Sequence, residues 1–209
     1  MPLSPSRIYL ASRSPRRREL LRQIGVDYEL LMLRVTTPRG RDVNEDPLAG
    51  ESPRDYVMRV CRDKAETGWR CLIERKLPQR AVLSADTTVC LGEAILGTPV
   101  DAAQAIEFLG RLSGREHQVL TAVALKFGER LELALSATSV RFRALEPAEI
   151  EHYVRSGEPL DKAGAYGIQG YAGAFIAEIR GSYSGVMGLP LYETEQLLGR
   201  LGLSRRYPA

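Results

Sequence analysis

The chain has 209 residues, 44% hydrophobic and 26% charged, with a formal net charge of +3. That length suits one domain with a sizeable core, or two small lobes around a cleft. The small charge argues against a general nucleic-acid binder, and no apolar run approaches the roughly 18–20 residues that span a bilayer.

Residues 7–11 are apolar enough for a first strand. Ser14-Pro15 then starts a helix, with Ser as cap and Pro at the first helical position. Leu20, Leu21 and Ile24 give its apolar stripe, and Gly25 ends it. A second strand is expected over 28–33. Residues 36–52 are rich in Pro, Gly, Asp, Asn and Glu and read as a long loop, of a length that is often functional. Ser52-Pro53 repeats the helix start, with Asp55 as capping partner, and that helix runs to about Glu74. Residues 81–91 form a β-rich apolar run. A helix capped by Asp101 covers 101–111. Segments 118–127 and 131–142 read as a hairpin turning at Gly128-Glu129. A helix follows over 147–156. Residues 163–174 carry Gly164, Gly167, Gly170 and Gly173 and read as a backbone-exposing loop. A strand over 175–179 and a helix over 189–201 complete the order. Interleaved strands and helices argue an α/β fold, and the hairpin argues a mixed sheet rather than an all-parallel one.

No leader with an apolar core and a cleavage site is read at residues 1–10. Cys61, Cys71 and Cys90 are odd in number and lack metal-ligand spacing, which suits reduced thiols. The expectation is a soluble, cytoplasmic protein. His117 and His152 have no partner at metal spacing and read as structural. Arg205 and Arg206 read as part of a solvated tail.

Three segments carry chemistry. In Ala11-Ser12-Arg13-Ser14-Pro15-Arg16-Arg17-Arg18 a strand feeds a helix through a serine turn. A helix N-terminus presents unpaired N–H groups and partial positive charge, a ready place for phosphate. Guanidiniums bind phosphate oxygens in a fork. Cations at a helix start disfavour the helix, so this cluster needs a compensating reason. In Ser84-Ala85-Asp86-Thr87-Thr88 a carboxylate interrupts an apolar strand. Such burial costs several kcal/mol unless the group is paired or holds a metal. Asp86 is therefore a candidate for binding a metal or polarising water. Residues 157–170 combine glycines that admit a ligand with Lys162 for charge and Gln169 for a base edge. The phosphate-loop and dinucleotide glycine signatures are absent, and so is a serine-nucleophile elbow.

Together these stretches resemble the Maf family of nucleotide pyrophosphatases. The matching residues are Leu10-Ala11-Ser12-Arg13-Ser14-Pro15-Arg16-Arg17 with Glu19-Leu20-Leu21, Asp63-Lys64-Ala65, and Ala85-Asp86-Thr87. They continue through Leu112-Ser113-Gly114, His117, Thr121-Ala122-Val123, Gly181-Ser182-Tyr183 and Gly188-Leu189-Pro190-Leu191. The resemblance covers about residues 7 to 203. It implies an elongated, curved mixed sheet flanked by helices with a central cleft, like that of the inosine-triphosphate pyrophosphatases. It implies hydrolysis between the α and β phosphates, assisted by Mg²⁺, Mn²⁺ or Co²⁺. The string Asp161-Lys162-Ala163-Gly164-Ala165-Tyr166-Gly167-Ile168-Gln169-Gly170 resembles the branch acting on dTTP and UTP, and modified pyrimidine triphosphates are a further candidate class.

By the same resemblance Asp86 is the catalytic acid that activates water. Arg16, Thr87 and Gln169 match positions linked to substrate choice. Ser12, Arg17, Lys64 and Lys162 match phosphate-facing or cleft positions, Lys64 being counted with the catalytic set. The family has an acidic pair after the second strand. Here Arg34-Val35-Thr36-Thr37 follows, so Glu45 is assigned that role and shares the metal with Asp86. The family usually has Gly-Lys-Pro where this chain has Gly97-Thr98-Pro99. Thr supplies no charge to a leaving pyrophosphate, which implies slower catalysis or shifted preference, with Arg13 as a compensating cation. Thr98→Lys is expected to raise the rate. The substitution admits a second reading, a weak or inactive nucleotide-binding regulator of septum formation. The expected partner is the nucleoside triphosphate, with no nucleic acid and no membrane, and a homodimer by analogy.

Overall fold

The computed structural model describes residues 7–33 and 42–203. The segment Arg34–Thr37, the start of the long loop and the tail arginines Arg205 and Arg206 lie outside them.

Strand β1 (Ile8–Leu10) leads into helix α1 (Pro15–Gln23). The helix starts where expected because Ser14 Oγ accepts the Arg17 N–H at 3.5 Å and Pro15 presets the first turn. Gly25 follows at φ +66, the left-handed turn that returns the chain to the sheet. Strand β2 (Tyr28–Leu30) is shorter than its apolar run, although Leu31 N–H still donates to Leu10 O at 3.0 Å. Helix α2 (Pro53–Glu74) is capped by Ser52, whose Oγ accepts the Asp55 N–H at 3.2 Å and donates to its carboxylate at 2.7 Å.

Strand β3 (Val82–Leu91) turns at Gly92-Glu93 into β4 (Ala94–Leu96). Helix α3 (Ala102–Leu112) is capped by Asp101, and strands β5 (Glu116–Phe127) and β6 (Arg130–Phe142) pair from Glu116↔Arg141 to Phe127↔Arg130. After α4 (Pro147–Arg155) the glycine-rich stretch is not an open loop. It folds into 3₁₀ turns at Glu158–Asp161, Ala163–Ala165 and Tyr171–Phe175. Strand β7 (Ile176–Arg180), a short α5 (Tyr183–Met187) and α6 (Leu191–Arg200) close the chain. The last helix begins at Leu191 rather than 189, because Gly188 at φ +112 and Pro190 separate it from α5.

The strands form one mixed sheet in the order β2-β1-β3-β5-β6-β7, with β4 also on β3. The β1–β2 and β1–β3 pairs are parallel and the rest antiparallel. One edge of β3 is paired to β5 from Val82 to Cys90. The other is shared. There β1 covers Val82 and Leu83, and β4 covers Val89 to Leu91. Ser84 to Thr88 therefore have no strand partner on that edge among the described residues, and the candidate site sits in this gap.

Helix α2 covers one face of the sheet. It sits close because Gly68 packs on Val82; a Cβ there would lie 2.8 Å from Val82 Cγ1. On the other face, Leu83, Ala85, Val123 and Leu125 pack with residues of α1 and α6, and Val89, Val119 and Phe142 with residues of α3 and α4. Buried alternately toward both faces, β3 reads as apolar nearly throughout. His117 is buried with Nε2 2.9 Å from the Tyr166 hydroxyl, a structural role as expected. The three cysteines are free and buried. No helix among the described residues is long and apolar enough to cross a membrane.

Candidate active site

Successive β3 residues point to opposite faces, so Asp86 and Thr87 divide the site between them. Asp86 faces α2. It is only 8% exposed, and its Oδ1 accepts from Lys64 Nζ at 2.7 Å. The same ammonium donates to Glu45 Oε2 at 2.9 Å. This pairing is what lets a carboxylate stand inside an apolar strand. Burial works to strip the proton from Lys64, but Asp86 and Glu45 outweigh it and hold the ammonium above its ordinary value. An ammonium has three donors, so one remains for a phosphate oxygen.

Glu45 reaches the site because its loop is laced to α2. Tyr56 donates its hydroxyl to Glu45 O at 2.9 Å. Arg59 donates to Asn44 O at 3.1 Å and to Asp46 O at 3.0 Å. Arg59 is fixed in turn by a forked pair with Glu51, at 2.6 and 2.8 Å, which pulls that carboxyl down to about 2. Tyr56 and Arg59 were missed in the sequence. Their spacing on one face of α2, just after a loop rich in acceptors, is the signal that points to them.

Thr87 faces the other way, toward Arg17. The Arg17 guanidinium donates through Nε to Gly188 O at 2.7 Å, through Nη1 to Ser12 Oγ at 3.2 Å and through Nη2 to Thr87 Oγ1 at 3.3 Å. Three neutral oxygens thus aim the fork, and no carboxylate forms a salt bridge with it among the described residues. Burial pushes the Arg17 pKa down, with Asp86 the main opposing influence. A half-buried, aimed cation lacking a contacting counter-ion is suited to a ligand anion. Ser12 Oγ accepts from Arg17 and from Ser14 N–H at 3.2 Å, leaving its own proton to donate.

Arg16 and Lys162 behave differently. Arg16 pairs with Asp161 at 3.5 Å, and Lys162 Nζ donates to the same carboxylate at 2.6 Å and to Glu158 O. They share one negative charge, which clasps α1 to the 3₁₀ turns and reduces what they offer a phosphate. Gly167 permits this, since a Cβ there would lie 2.8 Å from Lys162 Cε. Gly164, at φ +70, donates its N–H to Gly97 O at 3.0 Å and so ties the same segment to the turn beside Thr98.

Two hollows, of about 210 and 250 Å³, meet at Ser14 and Arg17. Each alone falls below the roughly 300 Å³ at the low end of small-molecule sites; together they exceed it. The first holds Arg16, Asp86, Thr87, Thr98, Lys162, Gln169 and Tyr166, with Val89, Val119 and Met187 as apolar wall. The second holds Ser12, Arg13, Glu45 and Lys64. Every residue singled out for the site lines one or the other. Arg13 and Thr98 line different hollows, however, and Arg13 is exposed with its Nη2 on Leu33 O at 3.2 Å. This placement gives no support to Arg13 as a substitute at Thr98.

No group of three or more His, Cys, Asp or Glu among the described residues could hold a metal alone. Asp86 and Glu45 nevertheless converge on one ammonium. Two hard carboxylates would fit a divalent cation such as Mg²⁺, though they do not make an all-protein cage.

The mixed sheet and this cleft define an α/β protein with a carboxylate–lysine centre beside a half-buried arginine. A family model described as Maf-like protein matches residues 7–201. The chain belongs to the Maf family. It is 57% identical over 197 residues to a dTTP/UTP pyrophosphatase of Nitrosomonas europaea, covering 94% of this chain and 95% of that one. It is 60% identical over 199 residues to a dTTP/UTP pyrophosphatase of Aromatoleum aromaticum, covering 94% and 96%. Among solved structures, the Staphylococcus aureus Ham1 protein superposes with a TM-score of 0.42 at 16% identity, over 65% of this chain and 71% of that one. That likeness is too remote to carry a conclusion.

Proposed function

We propose that this chain hydrolyses dTTP and UTP, and related modified pyrimidine triphosphates, to the monophosphate and pyrophosphate, clearing the cytoplasmic nucleotide pool. The supporting observation is the Asp86–Lys64–Glu45 centre set across β3 from the half-buried Arg17 fork. The relatives' names point to the same reaction.

The base and sugar occupy the hollow with the apolar wall, near Thr87 and Gln169. The phosphates cross Arg17 toward Lys64. Arg17 and the remaining Lys64 donor bind phosphate oxygens, and Ser12 donates its free hydroxyl proton. Asp86 orients a water and takes its proton as the water oxygen bonds to phosphorus and the α–β bridge breaks. The pyrophosphate leaves with the bridging electron pair. A divalent cation, when bound, would be held by Asp86 and Glu45 and would neutralise phosphate charge. The intact carboxylate–lysine centre favours turnover over a purely regulatory role, since a binding-only protein has no use for an aimed carboxylate.

Phosphorus NMR of UTP incubated with the protein and Mg²⁺ is expected to show UMP and pyrophosphate as the first products. UDP with inorganic phosphate would place the cut at the wrong bridge and remove this reading.

A further inference from the structure

Asp86 stands on a strand and Lys64 on a helix, but Glu45 stands on a loop. Its side chain is 39% exposed, and among the described residues its carboxylate pairs with Lys64 alone. One such pair does not place an exposed carboxylate, because two long side chains lose entropy in holding one geometry. The position of Glu45 must come from its backbone. That backbone is gripped on both sides by one guanidinium. Arg59 donates through Nη1 to Asn44 O at 3.1 Å and through Nη2 to Asp46 O at 3.0 Å. Its Nε and its other Nη2 proton go to Glu51, at 2.6 and 2.8 Å. Nη1 also lies 3.8 Å from Asp63 Oδ2. Glu51 is held in turn, since Leu48 N–H donates to its Oε2 at 3.0 Å.

A planar guanidinium spreads its donors in a fixed fan, which suits several acceptors held at set angles. The same helix carries Arg59, which grips the loop, and Lys64, which meets the Glu45 carboxylate. Arg59 itself lines neither hollow. A partly buried Arg–Glu pair is a weak source of stability, so the grip on the backbone is the more telling part of this cluster. We propose that Arg59 is a positioning residue for the reaction: by holding the carbonyls on either side of Glu45, it sets that carboxylate against Lys64 beside Asp86. This rests on the pyrophosphatase reading and on Glu45 acting in it. Arg59 touches no substrate, and its whole effect on turnover passes through Glu45.

The test is a double-mutant cycle on pyrophosphate release from UTP with Mg²⁺, using the wild type, Arg59→Met, Glu45→Gln and the double variant. Arg59→Met is expected to lower kcat by roughly 10- to 100-fold, the scale of a misplacement of about 1 Å. KM should stay within about threefold, because Arg17 and the first hollow are untouched. In the Glu45→Gln background the same change is expected to cost less than about threefold, since a missing carboxylate cannot be misplaced further. Arg59→Lys keeps the charge but not the fan, and should behave like Arg59→Met. If neither Arg59 variant folds, Glu51→Ala releases one side of the fan, and its smaller loss should likewise vanish in Glu45→Gln. An equal loss in both backgrounds marks a merely structural residue and overturns this inference alone, as does an unchanged kcat in folded Arg59→Met. A Glu45→Gln protein with wild-type kcat removes Glu45 from the centre and this inference with it. A wild type that releases no pyrophosphate overturns the pyrophosphatase reading itself.

Discussion

The two faces of β3 at the cleft are made from different materials. Toward α2, Asp86, Lys64 and Glu45 satisfy one another by charge. Toward α1, Arg17 is held by three neutral oxygens and has no contacting acid among the described residues. The first face gives its two carboxylates one shared ammonium, which lets Asp86 stand inside the strand without unfolding it. The second keeps its positive charge uncompensated at contact distance, and so its attraction for an incoming anion. One residue of sequence separates them, because a strand turns successive side chains to opposite sides. A short Asp-Thr pair thus sets paired charge on one face and an uncontacted cation on the other.

The contrast is broken most severely at Asp86. Asp86→Asn keeps shape and hydrogen bonding but removes the proton acceptor. It is expected to lower kcat by about a thousandfold or more, with affinity for a non-hydrolysable UTP analogue nearly kept. Retained turnover would remove Asp86 from its role.

A stability effect of about 3 kcal/mol is expected from His117, in the core beside the first hollow. Burial pushes its imidazole down to about 4, against an ordinary 6.5. The unfolded chain takes up this proton first as pH falls. The stability is therefore complete above about 6.5 and is lost progressively down to about 4. Urea unfolding midpoints between pH 7 and pH 4.5 should fall less steeply in His117→Gln than in the wild type.

Arg17→Lys keeps the charge of the second face but loses the fork. An ammonium cannot reproduce the three-way aim onto Gly188, Ser12 and Thr87. Steady-state kinetics should show kcat/KM for UTP falling by roughly 10- to 100-fold, largely through KM. An unchanged KM would mean that charge alone suffices on this face.

The smallest effect is expected at Thr98, exposed on the wall of the first hollow. Thr98→Lys should raise kcat a few-fold, on the order of 1 kcal/mol of added charge stabilisation. A rate unchanged or lower would show that Lys has no function at this position in this chain.

Local chemistry was legible in the sequence, and distant pairing was not. The starts of α1, α2 and α3 could be read because a cap is a contact between residues three apart. Strand β4 and helix α5 could not, since three and five residues carry too little periodicity. Asp86 stood out as a lone acid in an apolar strand, but its counter-ion lies 22 residues back on α2. Only the resemblance drew Lys64 and Glu45 to it. The resemblance also grouped Arg16, Arg17 and Lys162 as cations for phosphate. The fold distinguishes them, giving Asp161 to two and neutral oxygens to the third. That difference depends on which face of α1 meets the 3₁₀ turns, which spacing along the chain does not encode.

The most direct test is pyrophosphate release from dTTP, UTP, CTP, 5-methyl-UTP and 7-methyl-GTP by one preparation of the wild-type chain, with Mg²⁺, Mn²⁺ or Co²⁺. Turnover of dTTP, UTP and 5-methyl-UTP well above CTP and 7-methyl-GTP is the expected result. No pyrophosphate from any of them, by a folded protein that still binds nucleotide, would contradict the account and leave a nucleotide-binding regulator in its place.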